Sequence, residues 1–262
     1  MNIDLRGKHA LVCGSTQGIG RACAESLAEL GASVTLMARN AEALATVQSS
    51  LGRPANQSHD SVVADFSDPE SVRRAVTAKI ASGAAYHILI NNTGGPPGGR
   101  AIDANPDEFL AAFRAHLVCN QILAQALVPG MKAGNYGRII NIISTSVKAP
   151  IPGLGVSNTI RGAVASWAKT LANELGPLGI TVNNVLPGYT DTDRLKSLID
   201  KRADAGKTTS AAVAEDFRKT IPMGRFGTAT EIANAVAFLA SPAASYISGI
   251  NLPVDGGRTP TL

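Results

Sequence analysis

The sequence predicts an α/β fold in which a doubly wound parallel sheet carries helices on both faces. Short apolar runs alternate with helical patterns from one end of the chain to the other, and this alternation is typical of βαβ units. Runs such as Ile139–Ile143 are apolar almost throughout, as expected of strands that are buried on both faces. No linker, repeat or change of composition divides the 262 residues, so we expect a single domain over residues 1–262.

Each element follows from a local signal. The runs that we expect to form strands are His9–Cys13, Ser33–Ala38, Val62–Ala64, His87–Asn91, Arg138–Ile143, Ile180–Val185 and Ile250–Val254. The first helix, Gly18–Leu30, is expected to end at Gly31, because glycine tolerates the left-handed conformation at a helix end. Capping residues at Asp68, Asn105 and Thr228 predict the starts of three further helices.

Composition and charge exclude several classes of protein. A hydrophobic share of 45% with only 17% charged residues excludes a disordered chain. The net charge is +4, but the densest basic stretch, Arg194–Lys219, also contains four carboxylates, so no nucleic-acid partner is expected. The longest uncharged stretch, Ala115–Met131, is interrupted by polar residues, and we therefore expect no membrane partner.

The cysteines indicate a reducing environment. Cys13, Cys23 and Cys119 lie in apolar segments and show no metal-binding spacing, so we expect buried thiols and no metal site. Met1–Lys8 lacks the apolar core of a signal peptide. The expected location is the cytoplasm.

A glycine-rich turn follows the first predicted strand. This segment reads Gly14-Ser15-Thr16-Gln17-Gly18-Ile19-Gly20 and leads directly into the first helix. Glycines here would let the backbone approach a pyrophosphate, which then sits on the free N–H groups of the helix. An ordinary strand-to-helix turn is the alternative, but the position in the first βα unit favours dinucleotide binding.

The glycine spacing, together with Asn91-Asn92-Thr93-Gly94, resembles the short-chain dehydrogenase/reductase family, and the resemblance spans nearly the whole chain. Asp65, Pro187–Thr192, Arg225–Gly227 and Val254–Gly257 are similar to further signatures of that family. The resemblance implies a single-domain Rossmann fold that binds a nicotinamide dinucleotide. The cofactor-binding residues expected on this basis are Gly14, Ser15, Thr16, Gln17, Gly18, Ile19, Gly20, Arg39, Asn40, Asp65, Phe66, Asn91, Thr93, Gly94, Arg161, Pro187, Gly188, Thr190 and Thr192.

The end of the second strand indicates which dinucleotide binds. A carboxylate there would accept hydrogen bonds from the adenosine ribose and would repel a 2′-phosphate. This sequence instead has Ala38, Arg39 and Asn40, and a guanidinium is well shaped to pair with phosphate oxygens. NADP is therefore favoured over NAD, with a solvated surface arginine as the alternative interpretation of Arg39.

The catalytic positions depart from the family pattern. The resemblance implies an Asn–Ser–Tyr–Lys set, in which Ser144 matches the serine. The tyrosine position falls on Ser157, the lysine position on Arg161 and the asparagine position on His116. A register shifted by one residue also supplies no tyrosine in this segment. We therefore expect an atypical catalytic site that lacks the Tyr and Lys of Y-x-x-x-K.

These replacements change the expected proton transfer. A serine hydroxyl is a far weaker acid than a phenol, and an arginine remains protonated. We therefore expect His116 to restore the proton near neutral pH through Ser157 or a water, while Arg161 holds the nicotinamide ribose. A structural role for His116 is the alternative. Tyr189 is a second candidate acid, although aromatic cover over the cofactor is favoured for it.

The predicted function is an NADP-dependent oxidoreductase that moves a hydride between nicotinamide and a small-molecule carbonyl or alcohol. The resemblance suggests 3-oxoacyl thioesters, sugars, or cyclic and aromatic ketones as substrates, and a homo-oligomer, either a tetramer or a dimer. Residues 94–99 and the loop and helix region around 190–222 are expected to surround the substrate, since ligands bind at the carboxyl ends of parallel strands. The alternative is a dinucleotide-binding protein without catalysis, acting as a sensor or partner subunit.

Overall fold

A computed structural model of the protein describes residues 1–261, and Leu262, the last residue of the predicted domain, lies outside the described residues. Seven strands of the described chain form one parallel sheet in the order β3-β2-β1-β4-β5-β6-β7. They are β1 (His9–Cys13), β2 (Ser33–Ala38), β3 (His59–Val63), β4 (Ile88–Asn91), β5 (Gly137–Ile142), β6 (Ile180–Pro187) and β7 (Asn251–Val254). The predicted doubly wound α/β fold class is confirmed.

Helices cover both faces of this sheet. They are α1 (Gly18–Glu29), α2 (Ala41–Ser50), α3 (Pro69–Ala81), α4 (Pro106–Phe113), α5 (Cys119–Ala133), α6 (Gly155–Leu175), α7 (Asp193–Gly206), α8 (Ser210–Lys219) and α9 (Ala229–Ala240). In β1, Ala10 and Val12 join the core that contains α1, α2 and α9, whereas Leu11 and Cys13 join the core that contains α3, α5 and α6. Alternate residues therefore enter opposite cores, which explains why the strands are apolar along their length.

The third strand begins earlier than predicted. It starts at His59 rather than at Val62, and the polar residues that hid its start have partners. His59 Nδ1 accepts a hydrogen bond from the Val34 backbone N–H at 3.2 Å, and Ser61 donates to Gln48 at 2.7 Å. Because β3 lies at the edge of the sheet, such side chains can be satisfied there.

Two helical features were not predicted. Asn40, expected to bind cofactor, caps α2 by accepting a hydrogen bond from the Ala43 N–H at 3.0 Å. Between α4 and α5, Arg114–Val118 forms a π-helical turn that contains His116. Such turns recur at functional sites, since they re-aim the side chains of a helix.

The three cysteines are buried and free, as predicted for buried thiols. The structure shows no helix within residues 1–261 with the length and apolar character needed to cross a membrane. Within the same residues, no group of three or more His, Cys, Asp or Glu side chains is placed to hold a metal ion.

A row of asparagine side chains joins four neighbouring strands. Asn91, Asn141, Asn184 and Asn251 pair in register on β4, β5, β6 and β7. Each Nδ2 donates to the Oδ1 of the next residue at 2.9 Å. The amides satisfy one another inside the sheet and fix four strands in register near the ends that bear the site, although Asn91 Oδ1 has no partner.

Candidate active site

The glycine turn after β1 needs its glycines for steric reasons. Gly14 and Gly18 have φ angles of +57° and +53°, a region that side chains rarely adopt. A Cβ on Gly14 would lie 2.6 Å from the Asn92 carbonyl oxygen. Asn92 Nδ2 donates to the Cys13 and Gly14 carbonyl groups at 3.3 and 3.2 Å, so the segment after β4 holds this turn in place.

The turn has free groups that fit a dinucleotide phosphate. Ser15 is fully buried, and its Oγ has no hydrogen-bond partner. Gln17 precedes α1 without capping it, which leaves the first N–H groups of the helix free for an anion. Thr16 and Gln17 remain accessible, whereas Ile19 packs against the core. These residues fit a bound pyrophosphate.

The segment expected to hold the nicotinamide lies against the same turn. A Cβ on Gly18 would meet Thr192 Cγ2 at 3.4 Å. Thr190 is buried and bridges to Gly227, and the Gly188 N–H donates to the Val254 carbonyl oxygen at 3.0 Å. The segments 187–192, 225–227 and 254–257, which are far apart in the sequence, therefore meet beside the glycine turn.

The end of β2 presents a free cation. Arg39 is exposed and, within residues 1–261, makes no hydrogen bond or ion pair. Hydrogen bonds from Ser67 lower the pKa of Asp65, and the charge of Arg39 lowers it further. Arg39 and Asp65 follow the paired carboxyl ends of β2 and β3, where the adenosine end of a dinucleotide is expected.

Three expected cofactor residues use some of their groups for structure. The Asn40 side-chain oxygen caps α2, and the Asn91 amide lies in the row of asparagines. Phe66 packs against the core, and its carbonyl oxygen accepts a hydrogen bond from Cys119 at 3.5 Å. A Cβ on Gly94, by contrast, would meet no atom within 4 Å, so the backbone there borders open space.

Ser144 follows β5 with its hydroxyl proton free. Its Oγ accepts a hydrogen bond from the Ser146 N–H at 3.1 Å and so caps a short 3-10 turn, Thr145–Val147. In the part of the chain that the structure describes, the hydroxyl of half-buried Ser144 donates to no acceptor. It can therefore donate to a substrate oxygen.

Ser157 and Arg161 share one face of α6. They are four residues apart, one helical turn, and are 6% and 8% exposed. Arg161 Nη1 donates to the Ile142 carbonyl oxygen at 2.9 Å, which directs the guanidinium to the end of β5, two residues before Ser144. Burial and then the charge of Arg194 lower the pKa of Arg161 to about 10, so it stays cationic at neutral pH.

His116 stays neutral, contrary to expectation. It is 3% exposed, and its Nδ1 is hydrogen-bonded to Thr93 Oγ1 at 2.6 Å. Burial lowers its pKa to about 3, and the charges of Arg161 and Arg194 act in the same direction. The predicted ionisation near neutral pH is therefore wrong, because a cation at this position would be desolvated between two other cations. The hydrogen bond to Thr93 instead favours a positioning role.

Tyr189 is engaged outside the catalytic positions. Its ring stacks on Phe217 of α8 with centroids 4.4 Å apart and planes at 6°. Arg258 lies over the ring at 4.4 Å, and its Nη2 donates to the Tyr189 hydroxyl at 3.3 Å. These contacts favour packing over the role of an acid.

Sequence reasoning missed Arg194. This residue lies in the first turn of α7, and its Cζ lies 2.6 Å from where a Cβ on Gly95 would be. Its place within the expected substrate region, 190–222, was the available signal, but the contact with Gly95 depends on the tertiary fold.

A surface pocket of about 530 Å³ lies beside α1 and α9, and it contains none of the expected site residues.

Comparison with known proteins assigns the chain to a family. The family described as Enoyl-(Acyl carrier protein) reductase matches residues 14–259. A 3-oxoacyl-[acyl-carrier-protein] reductase, FabG, from Vibrio cholerae is 34% identical over 257 residues, which cover 97% of this chain and 98% of that protein.

Solved structures agree with this assignment. L-sorbose reductase from Gluconobacter frateurii, complexed with NADPH and L-sorbose, is 30% identical with a TM-score of 0.93, and all of both chains is covered. The NADPH-dependent reductase YwfH, involved in bacilysin biosynthesis, is 29% identical with a TM-score of 0.92, covering 97% of this chain and 99% of that chain. NAD⁺-bound xylitol dehydrogenase is 30% identical with a TM-score of 0.88, with 97% and 99% covered. With its glycine turn, its parallel sheet and these relatives, this chain belongs to the short-chain dehydrogenase/reductase family.

Proposed function

We propose that the protein is an NADP-dependent oxidoreductase that interconverts a small-molecule carbonyl and its alcohol. The observation that carries the proposal is the free hydroxyl proton of Ser144, two residues after Ile142, whose carbonyl group holds the Arg161 guanidinium at the carboxyl edge that bears the glycine turn. A bound dinucleotide would supply the hydride, while residues of the chain bind the substrate oxygen and hold its developing charge.

The cofactor residues in this proposal are those of the glycine turn, the ends of β2, β3 and β4, Arg161 and the segment 187–192. Arg39 supports NADP, because its exposed guanidinium makes no hydrogen bond or ion pair within residues 1–261 and can pair with a 2′-phosphate. The titles of two structural relatives name NADPH, while a third names NAD⁺.

The proposed chemistry differs from that of a Tyr–Lys pair. Ser144 donates a hydrogen bond to the reacting oxygen, and Ser157 offers a second hydroxyl from α6. Buried Arg161 holds positive charge beside the alkoxide that hydride transfer would create. Because His116 is neutral, the proton comes from water through these hydroxyl groups, and His116 positions Thr93.

A non-catalytic dinucleotide-binding protein is the second candidate. It is favoured by the serine and arginine at the positions where the family resemblance implies tyrosine and lysine. Steady NADPH oxidation against a panel of 3-oxoacyl thioesters, sugars, and cyclic and aromatic ketones tests the difference. Turnover with at least one class is expected, whereas tight NADPH binding without turnover across the panel would favour the sensor or partner subunit.

We further propose a one-domain cytoplasmic protein that forms a homodimer or homotetramer. The one sheet that spans the described chain supports a single domain over residues 1–262, and buried free thiols suit the cytoplasm. Apolar Ile102, Leu110 and Phe113 are exposed on and just before α4, which supports an interface there. Sedimentation velocity measures the assembly, and a monomer at micromolar concentration would contradict it.

A further inference from the structure

Two neighbouring arginines at the candidate site lack a counterion. Within residues 1–261, Arg161 makes one hydrogen bond, to a neutral carbonyl group, and Arg194 makes no hydrogen bond or ion pair. Arg225, by contrast, pairs with Glu231 at 2.7 Å. Arg161 is buried, so its charge is desolvated without a partner, which is costly. A second unpaired guanidinium, that of exposed Arg194, adds positive charge at the same site, and together they indicate a site for an anion.

Arg194 lies against the loop that follows β4. Its guanidinium occupies the space that the missing side chain of Gly95 leaves open. The loop that starts there continues to Gly99, whose carbonyl oxygen accepts a hydrogen bond from the N–H of Gly155, the first residue of α6, at 2.9 Å. Arg194 therefore reaches from α7 to the loop that adjoins Ser157.

The charge of Arg194 also acts on the candidate site. Burial lowers the pKa of Arg194, although the residue is accessible to water. A ligand from solvent can therefore reach the Arg194 guanidinium. The charge of Arg194 lowers the pKa of both Arg161 and His116, so it acts on the catalytic positions. The adjacent carboxylate, Asp193, pairs with Lys196 at 3.6 Å instead.

We propose that the substrate is an oxo acid, whose carboxylate is bound by Arg194 while its ketone oxygen meets Ser144. The planar guanidinium matches the two oxygens of a carboxylate, and Arg161 remains to face the developing alkoxide. In the reduction, the carbonyl carbon gains the hydride that the reduced dinucleotide supplies, and its oxygen gains a proton. The product is a hydroxy acid with its carboxylate unchanged, so Arg194 determines specificity.

This inference rests on the proposed function, and one other anion competes for Arg194. Thr192 lies against Gly18, so a phosphate of the dinucleotide could reach the start of α7. The experiment must therefore measure the binding of acid and cofactor separately, and it must not depend on turnover.

Calorimetric titration of the full chain, saturated with NADP⁺, provides that test. The probes are 2-oxobutanoate, 3-oxohexanoate and 4-phenyl-2-oxobutanoate, each compared with its methyl ester, which keeps the ketone and removes the charge. At least one acid should bind about tenfold or more tighter than its ester, and Arg194→Met should lower that ratio about ten- to a hundredfold. Arg194→Lys should retain part of the preference. Lys196→Met, which removes a charge from the same helix, should retain all of it.

Three results would overturn the inference. The first is equal binding of every acid and its ester by the wild type, and the second is no binding of any acid at millimolar concentration. The third is a loss of NADP⁺ affinity in Arg194→Met with an unchanged ratio of acid to ester, which would make Arg194 a cofactor ligand. NADPH oxidation with the same probes separates the two proposals, since selective acid binding without turnover would refute only the proposed reduction.

Discussion

His116 should make the stability of this protein fall in mild acid. Its pKa is about 3 in the folded chain, chiefly because it is buried, while an unfolded histidine titrates near 6.5. When a group has a lower pKa in the folded chain than in the unfolded chain, its neutral form stabilises the fold at pH values above the unfolded pKa. This contribution is lost as the pH falls towards the pKa of the folded chain. At pH 5.0 the unfolded chain has taken up a proton at this position and the folded chain has not.

The size of this effect follows from the pKa difference. From about pH 6.5 down to pH 5.0 the loss is about 2 kcal/mol, since each pH unit is worth about 1.36 kcal/mol per proton. The figure holds for any folded pKa below about 4, because His116 is then already neutral at pH 5.0. His9, whose burial and whose neighbour His87 lower its pKa to about 4, should add a similar loss.

Urea unfolding at pH 7.5 and pH 5.0 measures this loss. Both proteins should lose stability between pH 7.5 and pH 5.0. The loss in the free energy of unfolding should be about 2 kcal/mol smaller for His116→Asn than for the wild type. A lower stability of the variant at both pH values does not affect this comparison, because only the change with pH is used. Equal losses in the two proteins would refute the assignment of a neutral, buried His116.

Three further predictions concern the cofactor, the reacting oxygen and the sheet. Arg39→Asp should weaken NADPH binding about ten- to a hundredfold and improve NADH binding, while Arg53→Asp should change neither; equal affinity of the wild type for both cofactors would contradict this. Ser144→Ala should lower kcat by about 10²–10³ at nearly constant cofactor affinity. Ser146→Ala, whose hydroxyl has no partner, should keep the rate, and an unchanged Ser144→Ala rate would place the reacting oxygen elsewhere. Asn141→Leu leaves a buried amide group unpaired on each side and should cost about 2–5 kcal/mol by urea unfolding, more than Asn251→Leu at the end of the row. Equal losses for the two variants would contradict the pairing.

The sequence predicted those parts of the fold that depend on local patterns. The bounds of β1 and β2 match the predicted runs, because both strands are buried on two faces and are apolar along most of their length. The start of β3 at His59 was missed, since its polar residues are satisfied by neighbours that only the fold brings close. α2 was missed for a different reason: its cap is local, but Asn40 was interpreted as a cofactor ligand and not as the start of a helix.

The site was predicted less completely, because its chemistry depends on tertiary surroundings. The family resemblance implied roles for Ser144, Ser157, Arg161 and His116, and the structure places Arg161 beside the end of β5. The pKa of His116 could not be predicted from the sequence. It depends on burial in a π-helical turn and on two cations, Arg161 and Arg194, that are far from His116 along the chain. Arg194 was within the predicted substrate region, 190–222, but its contact with Gly95, which is remote in sequence, depends on the fold.

The central claim is that Ser144, Ser157 and Arg161 support carbonyl reduction at the expense of NADPH without a Tyr–Lys pair. The most direct measurement uses NADPH that carries deuterium on the transferred position of C4, with product analysis by mass spectrometry and NMR. We predict one deuterium on the carbinol carbon for each NADPH oxidised, and a large loss of product in Ser144→Ala. Stoichiometric NADPH binding with no deuterated alcohol from any carbonyl of the panel or any oxo acid would contradict the claim.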